Sequence, residues 1–407
     1  MIAIKEVERS EKNDLAEYLP WSFLSAEGIV EHKGGSLQKS FRFRGPDLDS
    51  ATKRDLMAIS GAFNNALRRM SDGWSVFIEA QRNPIEDYPE STWPNDASRA
   101  IDEERRTYFK SANNFFINEY FLTFVYKSPE MLEFKAHWFV TKENVSQSDE
   151  SLKQFLNTMA EISGLLSGVF KEFKPLDDDE TLTYLHGTVS SNRHLIKTPD
   201  IPMYLNYILC DESVEHGIGL KVGDHIVRTL SIKSFPTESF PGMLDAINDL
   251  KFSFRWSTRF ICMGQEKGKK ALSDIRRMWF SGRKKIITVL QEIATQTESA
   301  LGETSAINKS ADADEAMQLL DDGMVSFGYF TATVSVWDED HKKADAKIQK
   351  VASIINRLGF ACHIEGLNAL EAWLSSIPGN DFMLKVRTMW SPTLSPMPCS
   401  TLSSHKI

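Results

Sequence analysis

Several features are missing from this 407-residue chain, and each absence removes a class of protein. No apolar run approaches the roughly 20 residues that a membrane span requires; stretches such as Gly164–Phe170 are far too short. The opening MIAIKEVERSEKNDLAEYLP carries charge throughout and lacks an apolar core, so it does not read as a signal peptide. Cysteine is scarce: Cys210, Cys262, Cys362 and Cys399 stand far apart without a C-x-x-C pair, and read as free thiols in a reducing compartment. There is no H-E-x-x-H and no G-x-S-x-G, and no Cys/His pairing stands out. A nucleotide motor needs G-x-x-x-x-G-K-[ST], because its amides and lysine wrap the phosphates and its hydroxyl holds magnesium. The nearest match is Gly264-Gln265-Glu266-Lys267-Gly268-Lys269-Lys270, with three intervening residues instead of four and lysine where the hydroxyl belongs. Because it follows a strand and starts a helix, this turn leaves room for a bound anion, but no catalytic constellation is present.

What remains is an ordinary globular composition, with 42% apolar and 25% charged residues in a length suited to two or three domains. The net charge of −9 argues against a general nucleic-acid coat while allowing a local basic patch. That patch lies in Phe252–Lys285. Phe252, Phe254, Trp256, Thr258, Phe260 and Cys262 alternate with Ser253, Arg255, Ser257 and Arg259, the period of a strand with one face on a core. After Gly264 the apolar steps lengthen to three, four and seven through Leu272, Ile275, Trp279, Ile286, Leu290 and Ile293, so a long amphipathic helix leaves the strand. Lys267, Lys269, Lys270, Arg276, Arg277, Arg283, Lys284 and Lys285 then face only two acids. This basic face reads first as a solvated helix surface, next as a docking face for an acidic partner or a membrane surface. Nucleic-acid contact is the least favoured reading, since Trp279 and Phe280 serve better as core than as stacking platforms. Arg255 and Arg259 favour pairing within the molecule.

The periodicities define an α+β protein of two-layer sheet-and-helix units. Residues 1–24 read as a loosely held arm. Glu27–His32 and Leu37–Arg44 form a hairpin about Lys33-Gly34-Gly35; a helix, the strand Trp74–Ala80, a further helix and an aromatic strand ending at Pro129 follow. The polar Ser146–Glu150 marks a boundary, giving an N-terminal domain over 1–146 and a central one over 147–380. Asp177 to Glu180 read as helix-cap and dipole partners rather than metal ligands, and His186 and His194 as ordinary side chains. Strands are expected at Tyr204–Cys210, Ile218–Lys221, His225–Ile232, 252–262, Val325–Trp337 and Phe360–Ile364. Helices are expected from Ser239 or Pro241 to Leu250 and over Ala344–Leu358. Without a helical insertion at about 264–323 the central order is βαβ-βαβ, a ferredoxin-like unit. Residues 381–407, rich in proline and serine, read as an irregular tail.

The stretches LPWSFLSAEGIV (19–30), FRFRGPDLDSAT (41–52), ALRRMSDGWSVFIEAQR (66–82), YLHGTVSSNRH (184–194), FRWSTRFI (254–261), RRMWFSGRKK (276–285), FGYFTATVSVWDED (327–340) and LNALEAWLSSIPGN (367–380) resemble the CagE/TrbE/VirB family of type IV secretion and conjugation ATPases, its TrbE-type members most of all. The resemblance covers most of residues 15–380 and implies the N-terminal and central part of such a protein. In the family a RecA-like domain follows, which binds ATP and magnesium and energises pilus assembly and substrate transfer. It also implies other secretion subunits as partners, a homo-oligomer in the full-length family, and a cytoplasmic location peripheral to the inner membrane. The resemblance stops at Gly379-Asn380. The expectation is therefore a truncated or frameshifted product without a RecA-like motor, carrying no catalytic residue, cofactor or metal of its own.

Overall fold

The computed structural model describes residues 15–45, 52–85, 88–112, 115–128, 143–217, 219–236, 242–274, 327–380 and 388–390. Helix α1 (Leu15–Tyr18), strand β1 (Trp21–Ala26) and strand β2 (Ile29–His32) lead into a first sheet-and-helix unit. It comprises β3 (Leu37–Arg44), α2 (Lys53–Arg68), β4 (Trp74–Pro84), α3 (Asp96–Ala112), β5 (Phe116–Tyr126), α4 (Glu143–Ser167) and β6 (Glu172–Pro175). A connection follows through α5 (Asp178–Val189), α6 (Leu205–Ile208), β7 (Val214–His216) and β8 (Leu220–Val222). The second unit holds β9 (His225–Ser234), a 3-10 turn at Asp245–Ile247, β10 (Phe254–Met263), helix α7 over 265–274, β11 (Phe327–Asp338), α8 (His341–Arg357) and β12 (Ala361–Ile364). Helix α9 (Ala369–Ser375) and β13 (Thr388–Trp390) close the described chain.

All the strands join one antiparallel sheet, ordered β1-β2-β3-β5-β4-β10-β11-β9-β8-β7, with β6 on β3, β12 on β9 and β13 on β11. The same spatial order therefore occurs twice: β6-β3-β5-β4 in the first unit and β12-β9-β11-β10 in the second. The units meet where β4 and β10 pair antiparallel, from Phe254 opposite Arg82 to Ile261 opposite Ser75. This seam makes one sheet of the two halves. The boundary expected near residue 146 falls inside α4, and β6, beyond it, pairs with β3, before it.

One face of the sheet is apolar. Ile78, Phe124, Trp256, Phe260, Val334 and Leu230 are each at most 1% exposed, beneath α2, α4, the 3-10 turn and α8. The strand periodicity over 252–262 identified this face. It also implied an open polar face, and here the structure differs: Arg255, Ser257 and Arg259 are buried as well. The covering layer is a second cluster in which Leu15, Leu19 and Trp21 pack with Leu182, Leu185, Trp373 and Ile377. The expected loose arm is thus fixed from Leu15 onward, with Trp21 wholly buried.

Other expectations also change. Tyr204–Cys210 contains the helix α6 instead of a strand, because Leu205 and Leu209, one turn apart, are buried while Tyr204 and Tyr207 face outward. Of the helix expected up to Leu250, the described residues hold only the 3-10 turn. Leu244, Ile247 and Leu250 recur every third residue, the period of a 3-10 helix. In the expected irregular tail, Thr388–Trp390 pair with Phe330–Gly328 of β11. Most of the insertion over 264–323 lies outside the described residues.

Because Phe260 sits fully buried on the seam strand, Phe260→Ala is expected to cost about 3–5 kcal/mol. Ile117→Ala, at a position 48% exposed, should stay within about 0.5 kcal/mol. Urea unfolding midpoints of the two variants measure the contrast.

Candidate contact surface and the buried charge cluster behind it

The acids at the start of α5 illustrate how local sequence builds this side of the molecule. Asp177 accepts from the Glu180 amide and Glu180 returns the bond to the Asp177 amide, a capping box as expected from the run of carboxylates. The middle two acids reach further. Asp178 accepts from the Gly28 amide at 2.6 Å, and Asp179 from the Thr198 amide and hydroxyl at 2.8 and 2.6 Å. Those two bonds from Thr198 hold the Asp179 carboxyl below its usual range.

At the other end of α5, His186 is 1% exposed and its Nε2 lies 3.1 Å from Asp211 Oδ2, while the His194 ring sits 4.7 Å away, edge-on. Sequence reading treated both histidines as ordinary and missed Asp211, which lies far along the chain. Asp211 and its neighbour Glu212 tie the loop before β7 to the end of α5: Ser191 donates its amide to Glu212 at 2.6 Å. Among the described residues no three His, Cys, Asp or Glu side chains are grouped to hold a metal ion.

Beneath α5 lies the most concentrated charge in the structure. Glu79 on β4 and Arg255 on β10 are 0% and 3% exposed and form an ion pair through Arg255 Nε, with a second bond from Nη2 at 3.0 Å. Tyr184 donates its hydroxyl to Glu79 at 3.1 Å, and Gln81 donates Nε2 to the same carboxylate at 2.7 Å. Burial, and then the Glu79 charge, push the Tyr184 hydroxyl well above its ordinary range, so it stays a donor. Arg255 directs its remaining donors to Ser376 Oγ at 2.9 Å, Ser376 O at 2.6 Å and Thr188 O at 3.4 Å. Arg259 donates to Asn380 O at 2.8 Å and to Thr331 Oγ1 at 3.3 Å. Both arginines thus pair within the molecule, as their strand positions suggested. The partners come from both units and from residues after α9, which no local pattern could reveal.

The basic face begins on α7. Lys267, Lys269 and Lys270 are exposed there, whereas Arg276, Arg277, Arg283, Lys284 and Lys285 lie outside the described residues. The phosphate-loop-like turn at the head of α7 already holds an anion of the protein's own. Asp72, in the turn before β4, accepts from the Gly264 amide at 3.0 Å, and Lys267 Nζ lies 3.2 Å from the same oxygen. A Cβ at Gly264 would stand 2.6 Å from Asp72 Oδ2, so the close approach requires glycine. The carboxylate occupies the position that the dipole and free amides of a helix N-terminus favour for a phosphate. Burial and then the Asp72 charge push the nearby Cys262 thiol up to about 12.

With this geometry, the comparisons give the class. The N-terminal domain of the type IV secretion system ATPase VirB4/TrbE matches residues 28–132, and the CagE, TrbE, VirB family, a component of type IV transporter systems, matches residues 275–387. The chain belongs to this VirB4/TrbE family of type IV secretion proteins. Among its relatives is the conjugal transfer protein TrbE of Rhizobium radiobacter, 28% identical over 399 residues, which cover 93% of this chain and 48% of that protein. In Sinorhizobium fredii the probable conjugal transfer protein TrbE is divided between two polypeptides. The first of them is 35% identical over 133 residues, covering 32% of this chain and 89% of that polypeptide. The second is 31% identical over 202 residues, covering 50% of this chain and 30% of that polypeptide. The chain thus spans about half the length of the Rhizobium relative and less of the second Sinorhizobium polypeptide. Among the described residues no helix is long and apolar enough to cross a membrane.

Removing one partner of the buried pair, by Glu79→Gln or Arg255→Met, is expected to cost about 3–5 kcal/mol, and the double change Glu79→Met with Arg255→Met considerably less than the sum. Denaturant titration of the three variants tests this coupling. In the native protein at pH 8, Cys262 should resist alkylation and react only after unfolding, which mass spectrometry of iodoacetamide adducts would show.

Proposed function

We propose that this chain acts as the docking and assembly portion of a conjugal-transfer ATPase of the type IV secretion class, and that it does not itself hydrolyse ATP. Family membership supports the setting. The observation that carries the second clause is the Asp72 carboxylate on the Gly264 amide, in the one stretch that resembles a phosphate loop. In this reading ATP and magnesium belong to the portion of the longer relatives that this chain does not span. Its partners are other subunits of the transfer machinery and further copies of itself, at the cytoplasmic side of the inner membrane. The basic residues from Lys267 to Lys285 form the contact face, because they are the densest single-sign cluster in an acidic chain. Each unit is read as a ferredoxin-like split βαβ unit. The repeated strand order supports this, and α3 and the stretch after β10 are insertions at the same point of the two repeats.

The purified chain should show no ATP turnover above background; turnover that disappears with Lys269→Ala would overturn the proposal. Capture of transfer-machinery subunits should weaken as ionic strength rises, since exposed charges are screened over about 10 Å at 0.1 M salt. Lys267→Glu together with Lys270→Glu should weaken capture by roughly 0.5–2 kcal/mol, about threefold to thirtyfold. Capture indifferent to both salt and charge reversal excludes this face.

A further inference from the structure

The residues following α9 cross the buried polar face of the sheet in an unusual way. Ser376 O accepts from Arg255 Nη2 at 2.6 Å and from Ser257 Oγ at 2.9 Å. Pro378 O accepts from Trp21 Nε1 at 3.0 Å, and Asn380 O from Arg259 Nη1 at 2.8 Å. Asn380 Nδ2 in turn donates to Tyr18 O at 3.4 Å. Every second carbonyl of the segment is therefore gripped by a side chain, from β1 or β10. The amides of Ile377 and Asn380, by contrast, bond locally to Leu374 O and Ile377 O. The segment is held across the strands without joining the strand ladder.

Two further features define its seat. Gly379 has φ +94°, and a Cβ there would lie 2.9 Å from Gln38 Oε1 and equally close to the His32 ring, so only glycine fits. The surface beneath is rich in hydroxyls (Ser257, Thr331, Thr333, Ser335), groups that water satisfies readily when a cover is lifted. Ile377, fully buried in the second cluster, supplies the apolar anchor. Residues before it, in α9, are held mainly by apolar packing, through Ala369, Trp373 and Leu374.

We propose that residues 376–380 are a releasable latch across the seam between the two units. Fastened, the latch couples the chain that continues beyond Asn380 to β1, to β10 and, through Arg255, to Glu79 on β4. Released, it leaves the sheet folded, because no ladder bond is lost. The latch does not depend on which partners the chain docks with or on ATP hydrolysis.

Hydrogen exchange of the full chain, followed by mass spectrometry, tests it with two variants. Trp21→Phe removes the donor to Pro378 O, and Gly379→Ala blocks the glycine seat. Exchange at the Ile377 and Asn380 amides should accelerate about tenfold or more in each, the scale set by loss of one hydrogen bond, with β10 and β11 amides unchanged. Acceleration of the latch and strand amides together would make the segment part of the global unfolding unit and overturn the proposal. So would unchanged latch exchange in both variants.

Discussion

The pairing of β4 with β10 is the constraint on which the rest of the structure depends. It is the sole ladder joining the two units among the described residues, and it places Glu79 and Arg255 side by side on a face that is then covered. Two charges taken out of water are costly unless every donor and acceptor is met. Here Tyr184, Gln81, Ser376 and Thr188 meet them, from the connecting helix, from β4 and from the segment after α9. The ion pair therefore dictates where the covering layer must sit. An apolar pair of similar volume could fill the same space with equal or greater stability, but it would not specify which carbonyl lies over which strand.

The two faces of the sheet consequently do different work. Under α2, α4 and α8 the interface is a continuous apolar layer, whose burial supplies the main drive to fold. Under α5, α9 and residues 376–380 apolar packing at the margins surrounds a polar centre, where hydrogen bonds fix position rather than add much net stability. A cover of this second kind is well located and yet separable, and this contrast within one sheet is what makes a latch physically reasonable. The same logic applies at Gly264, where an internal carboxylate, held by an amide and a lysine, pins the head of α7 to the turn before β4.

The apolar face was legible in the sequence because each of its strands obeys period two: Phe254, Trp256 and Phe260 announce themselves without any knowledge of their partners. The capping box at Asp177 was legible for the same reason, since its partners lie within one turn. The polar face was not. Alternating serine and arginine reads as a wet surface unless one knows that residues 376–380 return over it, and that return is a contact across more than a hundred residues. Asp72 and Gly264 are likewise separated by most of the two units. At Tyr204 the run YLNYIL was too short for periodicity to separate helix from strand, and burial of Leu205 and Leu209 decided it. The basic face is legible by composition alone, and its described residues reach only from Lys267 to Lys270.

The two matched family regions do not coincide with the two physical units. Residues 28–132 contain β2, β3, β4 and β5 but not α4, which covers that sheet, or β6, which completes it. Among the described residues, 275–387 contain β11 and β12, which do not pair with each other; both depend on β9, and β11 on β10 as well. The intervening residues 133–274 therefore supply the missing strands of both units together with one side of the seam. A fragment cut to the second matched region would expose unpaired strand edges and half an apolar layer, the circumstances in which chains aggregate. The smallest span that satisfies every ladder of both units runs from β3 to β12, and the ion pair on its seam needs the residues after α9 too. Folding of this chain is thus a property of the joined pair, with the seam as the element that neither half can provide alone.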